Sequence, residues 1–207
     1  MTTHPLWRPY ELVTPDELAR VRVGVAKPWT IEVVAPERGW PAAYERVASA
    51  LREALGPRVL SVAHVGSTSV PGLWAKPIID VDLIVADSGD EPAWLLDLEA
   101  AGFVLAIREP EWEQHRVVKY FDPNANVHVF PPDAVEPQRH LVFATWLAEH
   151  PTELAMYADL KRRLATQGLD EVGTYTNAKA ALVYDIHERI FAADPAHIHE
   201  PQPRPAS

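Results

Sequence analysis

His64-Val65-Gly66-Ser67-Thr68-Ser69-Val70-Pro71-Gly72-Leu73-Trp74-Ala75-Lys76-Pro77-Ile78-Ile79-Asp80-Val81-Asp82-Leu83-Ile84-Val85 is the stretch that decides the fold. Apolar and β-branched residues at either end predict two strands, and the small-residue run between them predicts a loop. Successive side chains of a strand alternate between its faces. Asp80 and Asp82 therefore project together, while Val81, Leu83 and Val85 line the opposite face. Two adjacent carboxylates repel unless a cation lies between them, and Mg²⁺ or Mn²⁺ takes oxygen ligands of this kind. Gly66 and Ser67, followed by Thr68 and Ser69, offer backbone N–H groups and hydroxyls to a phosphate. The block thus predicts a phosphate site with Asp80 and Asp82 as ligands of a divalent metal. Ile78, Ile79, Ile84 and Val85 mark this as a central strand, where acids facing plain solvent are uncommon.

The rest of the chain sets bounds on that reading. Its 207 residues are enough for one substantial core with a helical annex. No apolar run approaches the roughly 20 residues of a membrane-spanning helix, and the N-terminus lacks the pattern of a signal peptide. There are no cysteines, which excludes disulfides and thiolate metal sites and fits a cytoplasmic protein. A formal net charge of −10 argues against binding long nucleic acid, which depends on basic patches. Small phosphorylated ligands remain open, and nothing in the chain points to a membrane partner.

Outward from the central block, Thr14 and Pro15 predict a short capped helix, and residues 30–35 alternate as a strand. Residues 41–55 carry a helical stripe of Tyr44, Val47, Ala48, Leu51 and Leu55. Strands are expected at 58–65, 78–85, 103–107, 117–121 and 127–130, with a hairpin turn at 122–126 and a helix at 92–101. From residue 138 to 191 the pattern is helical, with breaks near 150–151 and 168–173, and the Pro- and His-rich tail is expected to fray. This order predicts an α+β fold: a mixed sheet with packed helices, followed by a C-terminal helical subdomain. The boundaries expected are an N-terminal extension at 1–29, the core at 30–135, the helical subdomain at 136–192 and a flexible tail at 193–207.

Gly66-Ser67, then 12 residues, then Asp80-Val81-Asp82 resembles the signature of the polymerase-β-like nucleotidyltransferase superfamily. More narrowly, the chain resembles the GrpB family through residues 31–34, 64–73, 75–80 and 127–129, and through Arg139-His140-Leu141, 158–161 and 175–179. The resemblance implies a nucleotidyltransferase-like fold, a Gly-Ser loop on the nucleotide phosphates and paired acids on metal. It brings no established reaction. A GrpB-like region also occurs joined to dephospho-coenzyme A kinases, which points toward nucleotide or coenzyme A metabolism. Active members of the superfamily place a third carboxylate on a neighbouring strand. Here that strand is Asn126-Val127-His128-Val129-Phe130, with His128 in the third position.

Two helical stripes add a separate signal. Leu154, Tyr157, Ala158, Lys161 and Leu164 share one face, and Tyr175, Lys179, Leu182, Val183, Ile186 and Ile190 another. Each is apolar except for one lysine, which must either snorkel outward or meet a buried anion. Lys76, before Pro77, is a further phosphate candidate. Arg139 and His140 open a helix where positive charge opposes the macrodipole, so each needs a partner, Glu136 or substrate. The leading expectation is a cleft that binds a nucleotide or other phosphorylated small molecule through Gly66–Ser69, Lys76, Arg139, His140, Lys161, Tyr175 and Lys179. Asp80, Asp82 and His128 would be catalytic if nucleotidyl transfer occurs, with Asp82 or His128 accepting the proton. The rival is a non-catalytic binding module, and a third reading is a transition-metal hydrolase using Asp80, Asp82 and His128.

Overall fold

The computed structural model describes residues 2–24, 32–167 and 172–204. Strands β1 (Ser61–Val65), β2 (Ile79–Ile84), β3 (Val104–Glu109), β4 (His115–Phe121) and β5 (Asn124–Phe130) form one sheet in the order β1-β2-β5-β4-β3. The β2–β5 pair is parallel and the others antiparallel, so the expected mixed sheet is found. Helices α1 (Pro15–Val21), α2 (Trp40–Leu55) and α3 (Leu95–Ala100) come from the first half of the chain. Helices α4 (Glu136–Glu149), α5 (Pro151–Ala165) and α6 (Val172–Ala193) follow the sheet.

Alternation in the strands sorts the two faces. Val81, Leu83, Val127 and Val129 are fully buried and pack with Val47, Leu51 and Leu55 of α2 and Leu98 of α3. The other face carries Asp80, Asp82, Asn126 and His128, and β2–β5 pairing sets Asp80 against Asn126 and Asp82 against His128. A second core of Val70, Leu73, Leu147, Tyr157 and Ile186 ties the loop after β1 to α4, α5 and α6. The polar face of the sheet therefore looks toward the C-terminal helices. No helix among the described residues is long and apolar enough to cross a membrane.

Several local expectations need correcting. The strand expected to start at Arg58 begins at Ser61, because Gly56-Pro57-Arg58 closes a 3₁₀ turn whose Arg58 guanidinium bonds the Leu55 and Ala54 carbonyls. The helix expected over 92–101 splits into a 3₁₀ turn at Glu91–Ala93 and the short α3. The hairpin turn is tighter than residues 122–126, since Asn124 is already paired with Phe121. The strand expected over 30–35 falls partly outside the described residues, and within them Val34 makes an isolated bridge to Ala75. The break expected at 168–173 lies largely outside them as well. Thr14 caps α1 as expected, with Glu17 completing a reciprocal capping box.

The tail expected to fray is bound onto α6 as far as residue 204. Tyr184 donates to the Gln202 carbonyl at 2.9 Å, Arg204 pairs with Asp185 at 2.8 Å, and Glu200 N–H bonds the Thr2 carbonyl at 3.0 Å. Its prolines remove donors, but Asp185 and Glu188 of α6 and Asp194 just beyond it hold Arg204, His199 and His197.

Candidate functional site

Gly66 and Asp80 form the tightest point of the site. Gly66 leaves β1 with φ 67° and ψ −165°, and a Cβ there would lie 2.5 Å from Asp80 Oδ2. Only glycine tolerates both that backbone conformation and that approach. Gly66→Ala is expected to destabilise the fold by roughly 2–4 kcal/mol through strain and overpacking. A thermal melt matching wild type would show that the loop moves freely off Asp80.

Asp80 accepts a bond from Asn126 Nδ2 at 2.9 Å, and His128 Nε2 stands 3.9 Å from the same oxygen. Burial works against its carboxylate, but His128, Asn126 and Lys76 outweigh that and hold its pKa below the ordinary value. Asp82 is 2% exposed, and both its oxygens face His140 Nδ1, at 3.1 and 2.9 Å. Burial opposes the His140 imidazolium, yet Asp82, with Glu136 and Asp80, raises its pKa. A histidine whose charged form is favoured thus sits against one of the two acids expected to hold metal.

Behind His128 lies a chain of polar contacts. His115 Nδ1 meets Glu109 Oε2 at 2.6 Å, and His115 Nε2 meets His128 Nδ1 at 3.0 Å. With Glu109 ionised, His115 donates through Nδ1, so its Nε2 accepts from His128 Nδ1–H. That leaves His128 Nε2 turned toward Asp80. Burial is the main cause that lowers His115 to about 4, so it stays neutral and fixes the direction of this chain.

Beside Asp80 is a cavity of about 90 Å³ lined by Ser67, Lys76, Asn126, Lys161, Tyr175 and Lys179. Lys161 is 2% exposed, and its Nζ has no hydrogen-bond partner, resting 4.6 Å from the Tyr157 ring centre. Lys161 therefore does not snorkel outward. Lys76 and Lys179 both stand over Tyr175, 4.9 and 5.1 Å from its ring centre. Burial, followed by the charge of Lys179 and Lys76, pushes Lys161 down to about 6. Burial and Lys179 likewise push Lys76 down to about 7. The Tyr175 hydroxyl is also buried without a partner, and burial raises its pKa.

The structure therefore gathers Gly66, Ser67, Lys76, Asp80, Lys161, Tyr175 and Lys179 in one place, with His128 at its edge. Thr68 and Ser69 serve the loop itself: Thr68 Oγ1 bonds the Ile78 carbonyl and His64, and Ser69 Oγ bonds the Gly66 carbonyl at 2.7 Å. Arg139 turns away, pairing with Glu136 at 2.8 Å and donating to the Leu6 carbonyl. His140 is taken by Asp82. Glu109, His115 and Asn126 went unread in the sequence. The signal in the sequence was that Asn126 stands two residues before His128 and so shares its strand face; His115 lay outside the strand expected at 117–121.

Among the described residues, the donors that gather as a set of three within 4.8 Å are His4, Asp194 and His197, near the two termini. His4 Nδ1 accepts from Leu6 N–H, so Nε2–H donates to Asp194 at 3.0 Å, and the cluster is a hydrogen-bonded latch.

Residues 30–189 match the family model described as GrpB protein. The chain belongs to the GrpB family. It is 44% identical over 181 residues to UPF0157 protein BH1888 of Halalkalibacterium halodurans, covering 86% of this chain and 93% of that one. The crystal structure of the conserved protein GrpB from Enterococcus faecalis superposes with a TM-score of 0.69 at 30% identity, covering 78% of this chain and 98% of that one. A dephospho-CoA kinase of Mycolicibacterium paratuberculosis is 27% identical over 188 residues, which span 78% of this chain and 46% of the kinase. The GrpB assignment covers every lysine of the cavity, but not the first 29 residues or the tail.

Proposed function

We propose that the chain binds a nucleotide or another phosphorylated small molecule, with the phosphate held by Lys76, Lys161 and Lys179 and bonded by Ser67 and Tyr175. The observation that carries this reading is the Lys161 amine, buried without a hydrogen-bond partner in a cavity it shares with two further lysines. An unpaired buried amine is unfavourable for folding, and an anion relieves it. The size of the cavity suits one phosphate group. A relative named as a dephospho-CoA kinase agrees with a ligand of the phosphorylated class.

A dianion favours the charged lysines, so binding draws protons onto Lys76 and Lys161. Sulfate is the clean probe because its charge is constant near neutral pH. Calorimetry is expected to give tenfold or greater weakening of sulfate binding between about pH 6 and about pH 8. Both lysines, at about 6 and about 7, lose their protons across that interval. Affinity that is flat or rises with pH would remove the lysines from the site.

Metal-dependent nucleotidyl transfer is the second reading, favoured by Asp80 in the same cavity and by His128 Nε2 directed at it. A cation held by Asp80 and Asp82 would share the Asp82 carboxylate with His140, which already contacts both its oxygens. Pyrophosphate release from ATP that requires the metal and is lost in Asp80→Asn would establish transfer. Nucleotide binding without such release makes the chain a binding module.

A further inference from the structure

The cavity for phosphate does not end blindly. A groove of about 480 Å³ shares Ser67, Asp80 and Lys179 with it and runs outward between the C-terminal helices. That volume lies within the range of sites for small organic ligands, whereas the lysine cavity alone lies well below it. Val70 and Leu73 of the loop, Phe143 and Leu147 of α4, and Val183 of α6 form apolar walls.

Apart from Glu11, and the Asp80 and Lys179 that the groove shares with the cavity, charged groups along the groove are engaged elsewhere. Glu136 and Arg139 pair at 2.8 Å, and His140 is held by Asp82. Burial and the nearby Arg139 push His187 down to about 3, so it stays uncharged. Positive charge is thus concentrated at the cavity end, and the groove beyond it is suited to an uncharged body.

One wall comes from outside the stretch matched by the family model. Pro9, Tyr10, Glu11 and Val13 line the groove. They are fastened to α6, the helix that supplies Lys179. Val13 N–H bonds Asn177 Oδ1 at 3.0 Å, and Asn177 Nδ2 bonds the Val13 carbonyl at 2.7 Å. Tyr10 meets the Tyr184 ring edge to face at 5.5 Å, and Trp7 donates to Glu188 at 2.9 Å.

We infer that the ligand is a phosphomonoester of a bulky, uncharged aromatic or apolar group, whose body lies in this groove against Tyr10. The N-terminal segment is then part of the binding site and sets its preference. The inference rests on the lysine cavity being the phosphate site.

Calorimetry at about pH 6 with inorganic phosphate, glycerol 3-phosphate, phenyl phosphate and AMP tests it. The two esters with aromatic bodies are expected to bind at least tenfold more tightly than phosphate or glycerol 3-phosphate. Tyr10→Ala should weaken the aromatic esters fivefold or more and leave inorganic phosphate unchanged. Ala180→Phe, which fills the groove from α6, should do the same, so the result does not hang on one variant. Failure of all four probes to bind overturns the phosphate reading itself. Phosphate binding that is matched but not exceeded by both aromatic esters overturns the groove assignment alone. So does an equal loss for phosphate and esters in folded Tyr10→Ala and Ala180→Phe.

Discussion

Lys161→Met is expected to yield a more stable protein that no longer binds sulfate or phosphate. Methionine nearly matches the shape of the lysine stem and brings no charge into a position only 2% exposed. In the folded chain Lys161 is pushed down to about 6, whereas an unfolded lysine titrates near 10.4. At neutral pH the unfolded chain therefore binds a proton that the folded chain releases, and this destabilises the fold. Stability contributed through this residue rises with pH from the folded value toward the unfolded one. The variant's advantage is thus roughly 2–4 kcal/mol near pH 7 and shrinks toward pH 10. Urea denaturation at several pH values measures it directly. Saturating sulfate should raise the midpoint of wild type and leave the variant unmoved, since only a ligand that binds the native state stabilises it. A variant less stable than wild type, or one still stabilised by sulfate, contradicts a lysine retained for an anion.

The ease of finding Lys161 in the sequence contrasts with the histidine network around the aspartates. A single cation within a helical stripe of apolar residues is visible from spacing alone, because the 3.6-residue period fixes which side chains share a face. Asp80 and Asp82 were legible for the same reason, through the two-residue period of a strand. Gly66 was read as a phosphate loop, and the structure adds that a Cβ there would meet the carboxylate of Asp80. His115 joins His128 only because the β4–β5 register and the turn before β4 aim both rings at each other. That turn holds Glu113 and Gln114 at positive φ, a conformation no residue pattern announces. Asp82 and His140 lie 58 positions apart, and their meeting depends on how α4 docks over the sheet.

The terminal segments were hardest to read because their contacts follow no period. Trp7, Tyr10 and Val13 reach α6 through one or two hydrogen bonds or a ring edge, each to a residue more than 160 positions away. Proline-rich composition predicts loss of regular structure, and regular structure is indeed absent there. It does not predict loss of contact, which side chains such as Asn177 and Glu188 supply to irregular backbone.

His140→Ala is expected to cost roughly 2–4 kcal/mol, because it leaves the Asp82 carboxylate at 2% exposure with no cation against it. The figure stays modest because His140 is itself 28% exposed, so water is available to fill the space it leaves. His140→Gln separates charge from packing, since an amide still donates a hydrogen bond to Asp82. The folded pKa of His140 is raised above its ordinary value by Asp82, Glu136 and Asp80 acting against burial. The stabilisation it contributes is therefore complete below about pH 6.5, the unfolded value, and fades as pH climbs through the folded one. Wild type should exceed His140→Gln in stability most at about pH 6 and least at about pH 9. This slope is opposite in sign to that of Lys161, so the two groups are distinguishable in the same protein. A difference between wild type and His140→Gln that does not change with pH would mean that Asp82 meets a neutral imidazole. In that case Asp82 lacks a positive charge against it, and a divalent cation becomes the better partner for both aspartates.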